Sequence, residues 1–273
     1  MGIVSVDWLI EHQHDKNLII LDASLPAKVG GEQAAFQGKC IPGARFFDLK
    51  SKFSDPSGEF PLSFPSNERF QHSSRKLGIS QDSCLVVYDQ HGIYSSPRVW
   101  WMFRIMGHRE VYVLDGGLPE WVSRGNPIEN VQKKEYETGD FTAKAQMQFV
   151  KTYEEVVRNT STQEFTLIDA RSEGRFKGIE KEPRPQLKSG CIPGSVNIPY
   201  NDVLREGKYK SVEELRQLFE SKLKHEKPLA FSCGSGLTAC IVLLAYELAF
   251  QRVFAVYDGS WTEWATRQGL LEN

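Results

Sequence analysis

The stretch of this 273-residue chain best suited to chemistry runs from Leu229 to Ile241, Leu-Ala-Phe-Ser-Cys-Gly-Ser-Gly-Leu-Thr-Ala-Cys-Ile. An apolar run stops at Cys233 and apolar sequence resumes after Thr238. Leu229 to Phe231 predicts a buried strand, and Thr238 to Phe250 predicts a helix that is apolar on most of its faces. Gly234 and Gly236, between them, permit positive φ, so successive backbone N–H groups can turn inward around the cysteine sulfur. The dipole of the following helix acts in the same direction, and both favour a thiolate over a thiol. Free cysteine is often buried for packing alone. Strand, cysteine, Gly-x-Gly and helix in succession instead make a loop that presents a group, and Cys233 is expected to be a nucleophile.

A second polar stretch, Arg171 to Arg184, follows the predicted strand Phe165 to Ile168. In a parallel α/β sheet such a segment lies at the carboxyl edge of the strands, beside Cys233. It is rich in arginine, whose planar fork gives a carboxylate two parallel charge-assisted hydrogen bonds. Arg171 comes directly after the Asp169 strand, and an Asp169–Arg171 pair fixing the base of the segment is expected. Cysteine-dependent phosphatases need an arginine at the end of the cysteine loop to clamp phosphate. Here those places hold Thr238 and Ala239, which excludes that chemistry.

The elements that position these residues follow from an internal repeat. Leu21-Asp22-Ala23-Ser24 recurs as Ile168-Asp169-Ala170-Arg171, and Cys40-Ile41-Pro42-Gly43-Ala44 recurs as Cys191-Ile192-Pro193-Gly194-Ser195. Leu85-Val86-Val87-Tyr88-Asp89 recurs as Leu229-Ala230-Phe231-Ser232-Cys233, and Asp115-Gly116-Gly117 through Trp121 recurs as Asp258-Gly259-Ser260 through Trp264. The matches keep their order, which predicts two homologous domains, residues 1–125 and 149–273, joined by a polar surface linker over 126–148. Each half alternates strand and helix, the pattern of a parallel sheet flanked by helices. Val4 to His12 and Val150 to Val157 are expected to open the halves as helices, and Leu18 to Leu21 supplies the first buried strand. Asp89 stands where the second half has Cys233, so the first domain is expected to be catalytically silent.

Composition sets the limits. With 40% apolar residues the chain can bury a core in each half. A net charge of −2 gives no electrostatic case for nucleic acid or an anionic membrane as partner. Residues 1–20 carry Asp7, Glu11 and Asp15 in an amphipathic pattern, so neither a signal peptide nor a membrane span is expected there. The five cysteines, Cys40, Cys84, Cys191, Cys233 and Cys240, are odd in number and form no CxxC pair. That argues against a disulfide framework and a zinc site, and it predicts a reducing, cytoplasmic location. Cys40 and Cys191 are expected to be small buried thiols, and Cys240 part of the core.

Cys-Gly-Ser-Gly-Leu-Thr-Ala closely resembles the active-site loop of the mercaptopyruvate sulfurtransferase branch of the rhodanese family, usually Cys-Gly-Ser-Gly-Val-Thr-Ala, with Leu237 the one departure. With the repeat, the resemblance covers nearly the whole chain and implies two tandem rhodanese-like domains. The first of them would border the catalytic cleft. Gly-Arg-Phe and Glu-Pro-Arg resemble the family's two substrate-binding arginine motifs, which places Arg175 and Arg184 in that role. The resemblance implies that Cys233 takes sulfur from 3-mercaptopyruvate as a persulfide, releases pyruvate, and passes the sulfur to thioredoxin or a small thiol, with no cofactor or metal. Ser235 and the N–H groups of Gly234, Gly236, Leu237 and Thr238 would stabilise charge developing on the substrate. Thiosulfate-specific members carry Arg and Lys after the cysteine, where this chain has Gly234 and Ser235, so thiosulfate is the alternative donor. Some members are thought to use a Ser–His–Asp relay. Ser235 and Asp48 match two of its places, but Ser57 to Leu62 contains no histidine.

Overall fold

In a computed structural model of the chain, residues 2–132, 134–223, 227–252 and 255–272 are described. They form two compact units. The first comprises residues 1–57, 64–146 and 206–208, and the second comprises residues 58–63, 147–205 and 209–273. The segment 126–146 therefore packs with the first unit. Phe141 in that segment is fully buried, stacking edge-on with Phe70, Phe103 and His108.

The first unit contains β1 (Ile3–Val4), α1 (Val6–His12), β2 (Leu18–Asp22), β3 (Lys39–Cys40), β4 (Arg45–Phe46), α2 (Asn67–Lys76), β5 (Cys84–Tyr88), α3 (Ser96–Ile105), β6 (Val111–Leu114), α4 (Gly117–Ser123) and β7 (Glu129–Asn130). Its main sheet has the order β1-β6-β5-β2-β4, parallel throughout. Further on come β8 (Val150–Lys151), α5 (Tyr153–Thr162), β9 (Thr166–Asp169), α6 (Glu173–Phe176), β10 (Val196–Asn197), β11 (Leu204–Arg205), β12 (Lys208–Tyr209), α7 (Val212–Lys222), β13 (Leu229–Ser232), α8 (Ala239–Phe250), β14 (Ala255–Tyr257) and α9 (Ser260–Arg267). The second main sheet, β8-β14-β13-β9-β10, repeats the order of the first and is again parallel. The central strands are buried on both faces and read as continuous apolar runs, as parallel strands covered by helices do.

The opening segments differ from the helices expected of them. Val4 pairs with Leu114 in β1, and Val150 pairs with Val256 in β8. Helix begins only after a capping side chain: Ser5 accepts from the Trp8 N–H, and Thr152 forms a reciprocal capping box with Glu155. β-branched residues before a strong N-cap make a short edge strand at no cost to the helix. Among the described residues no helix is long and apolar enough to cross a membrane.

Candidate functional site

Strand β13 carries the chain through the middle of the second sheet, with Ser232 opposite Asp169 of β9, and delivers Cys233 at its carboxyl end. Cys233 is 1% exposed. The loop from Cys233 to Thr238 is tied down from one side by the first turn of α9. Trp261 N donates to the Cys233 carbonyl at 2.9 Å, while Thr262 N and Oγ1 both donate to the Gly234 carbonyl, at 3.0 and 2.6 Å. Beneath the loop the Ser260 hydroxyl accepts from Cys233 N at 3.1 Å and Gly236 N at 3.0 Å and donates to the Tyr257 carbonyl at 2.8 Å. Ser260 does this from a left-handed backbone, φ 51°, a strained conformation for a side chain other than glycine. Gly236, at φ 73°, makes the reversal that points its N–H at Ser260. Sequence reasoning assigned Ser260 no role. Its one signal was that serine replaces Gly117 of the repeat, a position where a Cβ would lie 2.4 Å from the Gly92 carbonyl oxygen.

With these groups occupied, the N–H groups of Ser235, Leu237 and Thr238 donate to no protein acceptor among the described residues. The first unit shows what such groups do when an anion is present. There the residue after β5 is Asp89, and its Oδ2 accepts from the N–H groups of Tyr94, Ser95 and Ser96 at 2.9, 3.0 and 2.9 Å and from the Ser96 hydroxyl at 2.7 Å. Tyr94, Ser95 and Ser96 lead into α3 as Leu237, Thr238 and Ala239 lead into α8. The repeat thus carries an anion-binding nest, filled by a carboxylate in one copy and headed by a thiol in the other.

The arginine segment is more closely organised than a loop. Ser172 caps the short helix α6, which carries Arg175. Arg171, fully buried, holds Asp169 through Nη2 at 2.6 Å and through Nε, donates from Nη1 to Glu182 at 2.8 Å, and stacks on Trp261 with 4.3 Å to the ring centroid. This is the structural pair expected from the sequence. Burial alone would lower the Arg171 pKa, but Asp169 and then Glu182 outweigh it and raise it above the usual value. Glu182 was not singled out in the sequence, yet it bridges the segment: its other oxygen accepts from Arg175 Nη2 at 2.6 Å, and Arg175 Nε adds a contact at 3.1 Å. A Cβ placed on Gly234 would lie 3.1 Å from Arg175 Nη2 and 3.9 Å from Arg184 Nη1, so both arginines stand beside the cysteine loop. Ser235 is 5% exposed within that loop.

The other candidates separate from this cluster. Cys240 is buried under the loop, its Sγ 3.4 Å from the Gly236 carbonyl, a core position as expected. Cys40 is buried, and burial pushes its thiol up to about 11. Cys191 is exposed, contrary to expectation, because the turn that places Ile192 in the core directs its predecessor outward. Asp48 caps its own turn, accepting from Ser51 N at 2.9 Å. Among the described residues no group of His, Cys, Asp and Glu could hold a metal ion.

Known proteins resemble this chain in sequence and fold. The description "Rhodanese-like domain" matches residues 5–124 and again 152–267. The 3-mercaptopyruvate sulfurtransferase of Mus musculus is 41% identical over 276 residues, covering 97% of this chain and 92% of the relative. The thiosulfate sulfurtransferase of Gallus gallus is 39% identical over 275 residues, covering 97% and 94%. The crystal structure of SseA from Escherichia coli, presented as a 3-mercaptopyruvate sulfotransferase, superimposes with a TM-score of 0.83 at 34% identity, covering 96% of this chain and 99% of that one. A thiol at the head of an anion nest, arginines beside it and a domain pattern matched twice lead to one assignment: the chain belongs to the rhodanese family and carries two rhodanese-like domains in tandem.

Proposed function

We propose that the chain is a sulfurtransferase that takes sulfur from 3-mercaptopyruvate, with Cys233 as the sulfur carrier. The single observation that carries this reading is the nest, whose first copy holds a carboxylate oxygen on three N–H groups at 2.9–3.0 Å while the second copy presents a thiol in that place. A thiolate there attacks the donor's thiol sulfur. The new S–S bond forms as the carbon–sulfur bond breaks, and that bond's electron pair leaves on carbon as the enolate of pyruvate, which takes a proton. Arg175 and Arg184 hold the donor's carboxylate and carbonyl, and Ser235 with the N–H groups of Gly234, Leu237 and Thr238 receives developing negative charge. The Gly236 N–H is spoken for by Ser260, so its part is to keep the loop in shape. An acceptor thiolate, from thioredoxin or a small thiol, then takes the outer sulfur and regenerates Cys233. A reducing compartment, the cytoplasm, suits a chain with five cysteines and a nucleophilic thiol.

The donor follows from the charges near the loop. Asp169 and Glu182 already engage Arg171 and Arg175. Residues 234 and 235 add no cation beside the sulfur, which suits a monocarboxylate better than a dianion. In the unmodified protein kcat/KM for 3-mercaptopyruvate should exceed that for thiosulfate, and the opposite ordering would reject this donor. Replacing Gly234 and Ser235 with Arg and Lys should shift preference toward thiosulfate.

Both binding arginines should matter to the donor. Arg184→Ala should lower kcat/KM for 3-mercaptopyruvate by the loss of a charge-assisted contact, about 1.5–3 kcal/mol or roughly 10- to 150-fold. Arg175→Ala removes such a contact and also a partner of buried Glu182, so it should lower the melting temperature as well. Unchanged kinetics in both variants would exclude the clamp.

A further inference from the structure

Asp22 and Asp169 occupy the same place in the two copies of the fold. Asp22 ends β2 opposite Tyr88 and Phe46, as Asp169 ends β9 opposite Ser232 and Asn197. Each Oδ1 accepts from the backbone two residues on, Ser24 N at 3.0 Å and Arg171 N at 2.9 Å. From there the copies diverge. Asp169 Oδ2 receives Arg171 Nη2 at 2.6 Å and Nε at 3.0 Å. In the first unit the residue matching Arg171 is Ser24, whose hydroxyl also turns to Asp22 Oδ1, and Asp22 Oδ2 is buried with no hydrogen-bond partner. Asp22 is 1% exposed. Burial pushes its carboxyl up to about 6; Ser24 holds it down in part, Asp89 adds to the rise, and the Tyr88 hydroxyl lowers it least, through a weak hydrogen bond.

An acid that has lost its fork would be only a defect in a closed core, but Asp22 lines a cavity of about 650 Å3 within the first unit. That volume is in the range of small-ligand sites. Its walls include Leu25, Phe46, Leu77 and Tyr136, with Lys134 exposed at the rim. The nearby cation on β4 is committed elsewhere: Arg45 donates to the Leu77 carbonyl and lies over the Tyr136 ring, 4.4 Å from its centroid. Gln90 Nε2 occupies the Lys39 carbonyl at 2.9 Å, the counterpart of the Gly190 carbonyl that Arg171 takes in the second unit, and among the described residues the Asp22 carboxyl has hydroxyl neighbours, Ser24 and Tyr88, but no cationic partner.

We propose that this cavity binds a small molecule bearing a guanidinium or amidinium group on an apolar body, its cationic fork meeting Asp22 as Arg171 meets Asp169. The planar fork supplies parallel donors to one carboxylate, which a bare ammonium cannot, and the apolar walls cover the rest of the ligand.

The test uses the full chain and calorimetric or NMR titration with benzamidine and with benzamide, its neutral isostere. Benzamidine should bind about tenfold or more tightly than benzamide, the margin of a charge-assisted over a neutral contact. Ser24→Arg restores the missing fork within the chain, and it should raise the melting temperature and abolish benzamidine binding. Asp22→Asn should remove the preference for the cation while sulfur transfer at Cys233 continues. Equal binding of the two probes, binding of neither, or full benzamidine affinity in Ser24→Arg would overturn the proposal. If Ser24→Arg fails to fold, retention of the cation preference in Asp22→Asn overturns it equally.

Discussion

Replacing Cys233 with serine should leave a folded protein whose sulfur transfer falls to the uncatalysed background. The backbone contacts that shape the loop, Cys233 N to Ser260 and Trp261 N to the Cys233 carbonyl, do not involve the sulfur and survive the change. What is lost is the atom that forms the S–S bond, and no hydroxyl can carry a sulfane sulfur. In the unmodified protein, treatment with 3-mercaptopyruvate in the absence of an acceptor should add a single sulfur to the peptide containing Cys233, read by mass spectrometry. Cys191 is the exposed thiol and Cys240 the nearby buried one. Sulfur found on either in place of Cys233, or turnover persisting in Cys233→Ser, would disprove the assignment.

The second large effect should come from Glu182→Ala, at a residue that need not touch the substrate. The Glu182 side chain is 1% exposed and accepts from Arg171 and from Arg175, each of which has other work: Arg171 anchors Asp169, and Arg175 stands at Gly234. Removing one member of a buried ionic network leaves its partners desolvated and uncompensated, at a cost of about 3–5 kcal/mol. Glu182→Ala should therefore lower the melting temperature of the second unit by several degrees and raise KM for 3-mercaptopyruvate, because Arg175 loses the carboxylate that orients it. Glu182→Gln keeps the shape and one acceptor, so it should lie between the two. A Glu182→Ala protein with unchanged stability and KM would show that the arginines are held by something other than this carboxylate.

The parts of this architecture visible in the sequence are those written in local pattern. The repeat, the buried strands Leu18–Asp22 and Leu229–Ser232, and the loop opening α8 each announce themselves within a dozen residues. The two-residue strands at Ile3–Val4 and Val150–Lys151 merged into the expected helices because two residues carry no period, and only the caps Ser5 and Thr152 mark the change. Segment 126–146 looked like a linker because it is polar, while its attachment depends on Phe141 and on backbone contacts such as Arg75 Nε to the Phe141 carbonyl, 66 residues away. Glu182 and Ser260 escaped notice for the same reason. Arg171 and Arg175 for the one, and Cys233 and Gly236 for the other, lie 7 to 27 residues away in the chain, and a lone glutamate or serine gives no sign of which distant group it will meet.

The carboxylate seated in the first unit's nest also fixes the enzyme's stoichiometry. Asp89 is a ligand tethered to its own receptor, present at an effective concentration that no anion in solution can match, and it is never released by turnover. That copy of the fold is permanently saturated. Equilibration with excess donor should therefore label one equivalent of sulfane sulfur per chain, and titration of the loaded protein with an acceptor thiol should discharge it in a single phase, with no slower component from a second binding loop.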